Sequence, residues 1–201
     1  MKHASALQAI LASDPARCGV LAMVRSLGLP DCWVGAGFIR NAVWDYLHDR
    51  SPCRHTGDVD VVWFCRERAR PAEDKEVEAA LRALDPSVDW SVKNQARMHL
   101  RNGDAPYAAA VDAIGHWPET ATAVAARQTP AGSCEIAAPF GLGDLFDLVL
   151  RPTPRFAGEK RAVYLDRVQS KGWLAIWPRL RVAPSRASRT VPASSRSASR
   201  R

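Results

Sequence analysis

The chain contains no apolar run that approaches the roughly 20 residues a membrane span needs. Met1 to Leu11 carries one Lys and one His but no long apolar stretch and no cleavage signature. No signal peptide and no membrane partner are therefore expected, and the expected compartment is the cytoplasm. Cysteine is sparse, with five residues at 18, 32, 53, 65 and 134 and no C-x-x-C pair. Clustered zinc ligands and a secreted disulfide scaffold are both excluded, which leaves reduced, mostly buried small hydrophobes. No G-x-x-x-x-G-K-[ST] segment occurs, so the phosphate loop of that class is absent. From Arg181 onward there is no acidic residue at all.

That last absence explains the charge. The net charge is +7 over 201 residues, yet the six arginines from 181 onward leave only +1 for residues 1–180. The body is nearly neutral, and the basicity belongs to the tail. Residues 181–201 are rich in Arg, Ser, Ala and Pro, a composition that cannot repay the entropy of ordering. The expected organisation is one domain over 1–180 followed by a disordered tail over 181–201. Such a tail can touch phosphates nonspecifically, but it reads first as a solvated extension. A length of 201 residues, 47% apolar and 24% charged, suits a single globular domain with a full core.

Residues 4–12 and 15–27 show apolar positions at helical spacing, with Asp14 placed to cap the second helix and Pro15 at its first position. Cys32-Trp33-Val34 is β-prone and runs into Gly35-Ala36-Gly37, after which Phe38 to Leu47 returns to a helical pattern. Asp58 to Phe64 alternates as a strand, Glu73 to Leu84 as a charged amphipathic helix, and Val88 to Val92 as a further strand. Asp112 to Trp117 suggests a short helical turn. Ala121–Gln128 and Cys134–Ala137 are strand candidates paired across the turn at Pro130-Ala-Gly132. Phe140–Leu150 and Tyr164–Ile176 are predicted helices. The fold class is α+β: a mixed sheet flanked by helices, with a helical C-terminal part.

Two features occur in an order that carries chemistry. Val34-Gly-Ala-Gly-Phe-Ile-Arg40 lies at a strand-to-helix turn, and Asp58-Val-Asp60 opens the next strand. Carboxylates at i and i+2 of a strand point to one side and repel unless a cation or proton intervenes. Hard oxygen ligands suit magnesium, while a glycine turn lets backbone N–H groups approach phosphate. Each half alone is weak: an Asp-x-Asp at a strand start is more often a solvated turn. A dinucleotide-binding fold competes, since an acid follows Gly37 by 21 residues. However, the third glycine position is Arg40, and the acids begin a strand where the ribose-binding acid should end one.

The segment Val34-Gly-Ala-Gly-Phe-Ile-Arg-Asn-Ala-Val-Trp-Asp-Tyr-Leu-His48 followed by Asp58-Val-Asp-Val61 resembles the signature of the DNA polymerase beta-type nucleotidyltransferase superfamily. The layout is close to that of CCA-adding enzymes and bacterial poly(A) polymerases, and closer to a bacterial nucleotidyltransferase-like family of unassigned substrate. The resemblance continues through Trp90-Ser-Val-Lys-Asn-Gln-Ala-Arg-Met-His99, Trp117-Pro-Glu-Thr-Ala-Thr-Ala-Val124 and Ala138-Pro-Phe-Gly-Leu-Gly-Asp-Leu-Phe146, and covers about residues 15–180. It implies a nucleotidyltransferase (polymerase beta-like) fold that uses magnesium, two ions in all, and a nucleoside triphosphate such as ATP. Asp58 and Asp60 would hold the metal, and Gly35 and Gly37 would face the phosphates. The superfamily usually adds a third carboxylate on a neighbouring strand. The narrower family allows an acid at the position of Ser91, so Asp89, two residues earlier on the same strand face, is the candidate base. The acceptor class stays open among a small molecule, an RNA and a protein.

Lys93, Asn94 and Arg97 form a polar cluster after that strand, either a triphosphate clamp or a solvated helix face, and His99 leans towards a structural role. Arg40 would reach phosphate or pair with a carboxylate such as Asp58. Trp117, Trp173 and Trp177 can stack a base, although seven tryptophans in one chain belong mostly to the core. Asp144 and Asp147 would face solvent near a helix N-terminus. Two rival classes remain: a nucleotide-binding module without catalysis, favoured by Ser91, and a nucleic-acid-binding protein that uses the basic tail.

Overall fold

The computed structural model describes residues 2–52 and 55–184. Helices α1 (Lys2–Ala12) and α2 (Pro15–Ser26) lead into strand β1 (Trp33–Gly35), helix α3 (Gly37–Leu47) and strand β2 (Asp58–Trp63). Helix α4 (Pro71–Leu84), strand β3 (Asp89–Asn94), a 3-10 turn, and the short helices α5 (Met98–Asn102) and α6 (Ala110–Ile114) follow. Strands β4 (Ala125–Gln128) and β5 (Cys134–Ala137) close the sheet. The C-terminal part comprises α7 (Gly143–Phe146), β6 (Val149–Leu150), α8 (Pro154–Ala157), α9 (Arg161–Ser170), α10 (Trp173–Ile176) and β7 (Arg181–Val182).

The main sheet has the order β3-β2-β1-β4-β5. Only β2 and β3 run parallel; the other neighbours are antiparallel. The parallel pair is connected through α4, as a parallel crossover demands. One sheet face carries the larger core, in which Val34, Val59, Val61, Trp63, Trp90 and Val92 meet the apolar sides of the flanking helices. The opposite face has a smaller core of Trp33, Val62, Ala110, Ile114, Ala123, Ala125 and Ala137. Alternation along β2 thus buries 59, 61 and 63 and turns 58, 60 and 62 the other way.

The N-terminal helices form as expected: the Asp14 carboxylate accepts from Arg17 N at 3.0 Å, with Pro15 in the first turn. The C-terminal elements are shorter than expected. Phe140–Leu150 is not one helix, because Gly141 (φ 73°) and Leu148 (φ 57°) confine the helical part to Gly143–Phe146. Gly172 (φ 61°) divides Tyr164–Ile176 into α9 and α10. Of Ala121–Gln128, only Ala125–Gln128 is strand. The ordered chain also passes Arg181, since β7 pairs in parallel with β6 through Val149↔Arg181 and Leu150↔Val182. The rest of the expected tail, 185–201, and Cys53 lie outside the described residues. Among the described residues no single helix is long and apolar enough to cross a membrane.

Candidate active site

The glycine turn is built for packing as much as for exposure. Ala36, between the two glycines, takes the positive φ of 53° (ψ −126°), a costly backbone state for an L residue. It is held by the bond from Ala36 N to Val124 O, 3.0 Å. A Cβ on Gly35 would lie 2.7 Å from Cη2 of Trp117 and 3.2 Å from Val124 O. The close approach that requires a glycine at 35 is therefore to the Trp117 indole, which occupies the space a side chain would take. Gly37 differs. A Cβ there would meet Arg40 Nη2 at an ordinary 3.5 Å, and Gly37 opens α3 at the edge of a cavity.

Strand register fixes what surrounds the two aspartates. Asp60 stands opposite Gly35 on β1 and Ser91 on β3; Asp58 stands opposite Asp89. Asp58 is exposed and Asp60 half-buried. Among the described residues neither carboxylate has an ion-pair partner within 4 Å. Burial first, and the Asp58 charge second, push Asp60 up to about 6; a hydrogen bond from Ser91 and the positive charges of Arg167 and Arg40 oppose the rise. A carboxylate whose ionisation is opposed by burial and by a second carboxylate, with no ion-pair partner among the described residues, suits an exchangeable divalent cation. Among the described residues no group of three or more His, Cys, Asp or Glu side chains converges for a metal. Two carboxylates still fit magnesium, which is commonly held by one or two of them together with substrate phosphates.

The other expected site residues divide between the two faces of β3. Asp89, Ser91 and Lys93 share the face of Asp58 and Asp60, and the Lys93 ammonium donates to Val92 O at 2.9 Å. Asp89 is exposed beside Asp58, whereas Ser91 takes the place beside Asp60. Asn94 falls on the core face with Trp90 and Val92 and is fully buried. Its amide accepts from Ala96 N (2.9 Å) and Cys65 N (3.3 Å) and donates to Cys65 O and Arg68 O (both 2.8 Å). That network occupies its hydrogen-bonding capacity, so Asn94 braces a loop and has no amide donor or acceptor left over for a ligand. Arg97 is likewise committed, to the buried Asp74 carboxylate on α4, and leaves the clamp. His99 lies edge-on to Tyr107, 6.0 Å between centroids.

Arg40 makes no ion pair with Asp58. Its guanidinium is enclosed between Trp44 (4.7 Å) and Trp173 (4.5 Å), donates to Thr122 Oγ1 at 2.9 Å and to Asn41 Oδ1, and projects over Gly37. Burial pulls its pKa down to about 10; Glu119 counters this, Arg167 adds to the fall, and Asp60 and Asp58 favour the charge. Arg40 is thus a cation at neutral pH, fixed behind the aspartates. Trp173 and Trp177 are core: both meet Trp44 edge-on, and Trp177 Nε1 donates to Asp45 at 2.8 Å. Asp144 is taken up by Arg151 and Thr120.

Several neighbours were missed because no local pattern marks them. Glu119 is fully buried and accepts from Arg167 Nε at 2.9 Å across 48 residues of chain. His55 packs edge-on against Phe38, with Nε2 3.0 Å from Asp58 O, and burial holds its pKa below the usual value. A cavity of about 310 Å3 opens at Gly37, Arg40, Asn41, Asp58, Lys171 and Trp173. A second, of about 670 Å3, adjoins it through Arg17, His55 and Gly57 and is floored by Val20, Met23, Phe38 and Val59.

A family model described as Nucleotidyltransferase matches residues 22–182. A solved protein whose NMR structure "reveals a CCA-adding enzyme head domain" is 33% identical, over 88% of this chain and 94% of that one, with a TM-score of 0.79. A tRNA nucleotidyltransferase solved with a primer tRNA and an incoming ATP analogue is 18% identical, over 83% of this chain and 47% of that one, with a TM-score of 0.53. A CCA-adding enzyme solved with CTP is 12% identical, over 84% and 40% respectively, also at 0.53. The chain therefore spans less than half the length of these two enzymes, and their likeness concerns the fold. A search of curated proteins returned no match.

Proposed function

The chain belongs to the nucleotidyltransferase family whose model spans residues 22–182, and from that membership we propose that it moves a nucleoside monophosphate from a magnesium-bound nucleoside triphosphate to an acceptor hydroxyl. The reading rests on one observation above all. Asp58 and Asp60 project from one face of β2 beside the Gly37 opening of α3, and no protein cation within ion-pair distance neutralises them among the described residues. In this reading Asp58 and Asp60 hold the magnesium ions, and the first backbone amides of α3 together with Arg40 attract the phosphates. Magnesium bound there offsets negative charge on the phosphate oxygens during an in-line displacement.

The acceptor oxygen attacks the α-phosphorus, the bond from that phosphorus to the β-bridging oxygen breaks, and pyrophosphate leaves with the bonding pair. The acceptor proton passes to a carboxylate, for which Asp89 is the candidate on the site face of β3. Asp89 stands two residue pairs along from Asp60, opposite Asp58, and the position opposite Asp60 holds Ser91. That placement is the specific observation favouring the second reading, a nucleotide-binding module without turnover. Asp60→Asn is expected to abolish magnesium-dependent pyrophosphate release from all four ribonucleoside triphosphates, with the circular dichroism unchanged. Release at the wild-type rate in that variant would remove Asp60 from the site. Wild-type binding without release would favour the second reading.

A further inference from the structure

The cavity beside Asp58 is more basic than the two aspartates require. Arg17, Arg40, Arg50 and Lys171 line it against Asp45 and Asp58. Arg17 is tied to Asp14 and to Phe38 O, and Arg50 to Asp45 and Ile176 O. Two cations contributed by α9 and its C-cap are held differently: Lys171 lines the cavity, and Arg167 adjoins it by packing on Trp173, which lines it too. Arg167 and Lys171 stand four residues apart, so they share one side of the helix end. Arg167 commits only Nε, to Glu119; among the described residues its Nη atoms make no hydrogen bond. The exposed Lys171 ammonium likewise has no hydrogen-bond or ion-pair partner among the described residues.

Behind them lies a buried polar layer. Glu119 is completely buried; one carboxylate oxygen grips Arg167, and the other has no hydrogen-bond partner among the described residues. Arg40 and Arg167 both lie against Trp173, at 4.5 and 5.4 Å from its ring. Two guanidinium groups on one indole, sharing one carboxylate, leave a surplus of positive charge. The Arg167 field also reaches Asp60, so the surplus adjoins the acidic pair. A ligand that is anionic and carries its own divalent cation satisfies both halves at once. A cavity of about 310 Å3 admits a compact polyphosphate and not a duplex.

We infer that Arg167 and Lys171 clamp the polyphosphate of the nucleotide from the C-terminal helical part, and that Glu119 is a positioning residue that aims Arg167 at it. The inference rests on the reading of Asp58 and Asp60 given above. It is tested on the full chain by calorimetric titration with magnesium tripolyphosphate and with magnesium ATP. Lys171→Met changes an exposed side chain and is expected to lose about 3- to 10-fold in affinity for both ligands. The double variant Glu119→Gln, Arg167→Met removes the buried ion pair together while keeping a polar side chain near Arg40, and is expected to lose about 10- to 100-fold for both. Glu119→Gln alone retains an acceptor for Arg167 and should recover most of that loss, with the residual defect in KM and not in kcat. If Asp60→Asn abolishes binding while Lys171→Met and the double variant bind both ligands as wild type does, the clamp is wrong and the aspartate site stands. If wild type binds neither ligand, both fall together.

Discussion

Asp60 and Glu119 are two acids withdrawn from water in the same part of the molecule, and they are treated in opposite ways. Glu119 is the more buried, yet it has Arg167 at 2.9 Å and Arg40 close enough to feel its charge. Asp60 is only half-buried, has a second carboxylate two residues away, and is pushed up to about 6. Burial alone does not decide what a carboxylate does; the permanence of its counter-charge does. Glu119 is neutralised by the fold and holds other groups in place. Asp60 has no cation within ion-pair distance among the described residues, an arrangement that suits a cation that comes and goes.

The largest effect that would break this comparison is on stability at Glu119. Glu119→Ala strands Arg40 and Arg167 against Trp173, and should cost about 3 kcal/mol, the low end for a broken buried pair because Arg167 keeps some solvent. Urea unfolding measures it; a loss under about 0.5 kcal/mol would mean that Glu119 is no structural anchor. A smaller effect is expected at the turn, where Gly35→Ala drives a methyl into the Trp117 ring and Val124 O. The cost should be about 1–3 kcal/mol, as for overpacking elsewhere. Unchanged stability would return Gly35 to the phosphate-facing role.

The smallest effect is the pH response of Asp60 itself. Its folded pKa of about 6 lies above the ordinary 3.8. Between these values the metal-free folded state keeps a proton that the unfolded chain has lost. The stability this provides is complete below the ordinary value and disappears as pH rises through about 6. Magnesium competes with that proton, so apparent magnesium affinity should fall as pH drops below about 6, by up to tenfold per unit. Titrations at pH 5, 6 and 7 measure it, and an affinity indifferent to pH would contradict the assignment to Asp60.

The acidic half of the site was legible in sequence because it is local. Alternation along Asp58–Phe64 places both aspartates on one strand face without knowledge of any other segment. The same alternation, carried from Asp89 to Asn94, assigns Asn94 to the buried face of Trp90 and Val92, so its burial in the core was readable from the pattern alone. The packing role of Gly35 was hidden for another reason: the residue that requires its bareness, Trp117, lies far along the chain. The basic half is non-local throughout. Arg40 meets Thr122, Glu119 meets Arg167, and Lys171 shares the cavity of Asp58 although the two lie far apart in sequence. Arg97 looked like a clamp because its partner, Asp74, belongs to a helix whose packing no spacing reveals.

The central claim is that Asp58 and Asp60 are a site for a metal-bound triphosphate, and calorimetric titration of wild type and Asp58→Asn with each ribonucleoside triphosphate, with and without magnesium, tests it most directly. Binding that requires magnesium in wild type and is lost in the variant is the result expected. Binding of equal strength in the presence of a chelator, or undiminished in Asp58→Asn, would contradict it.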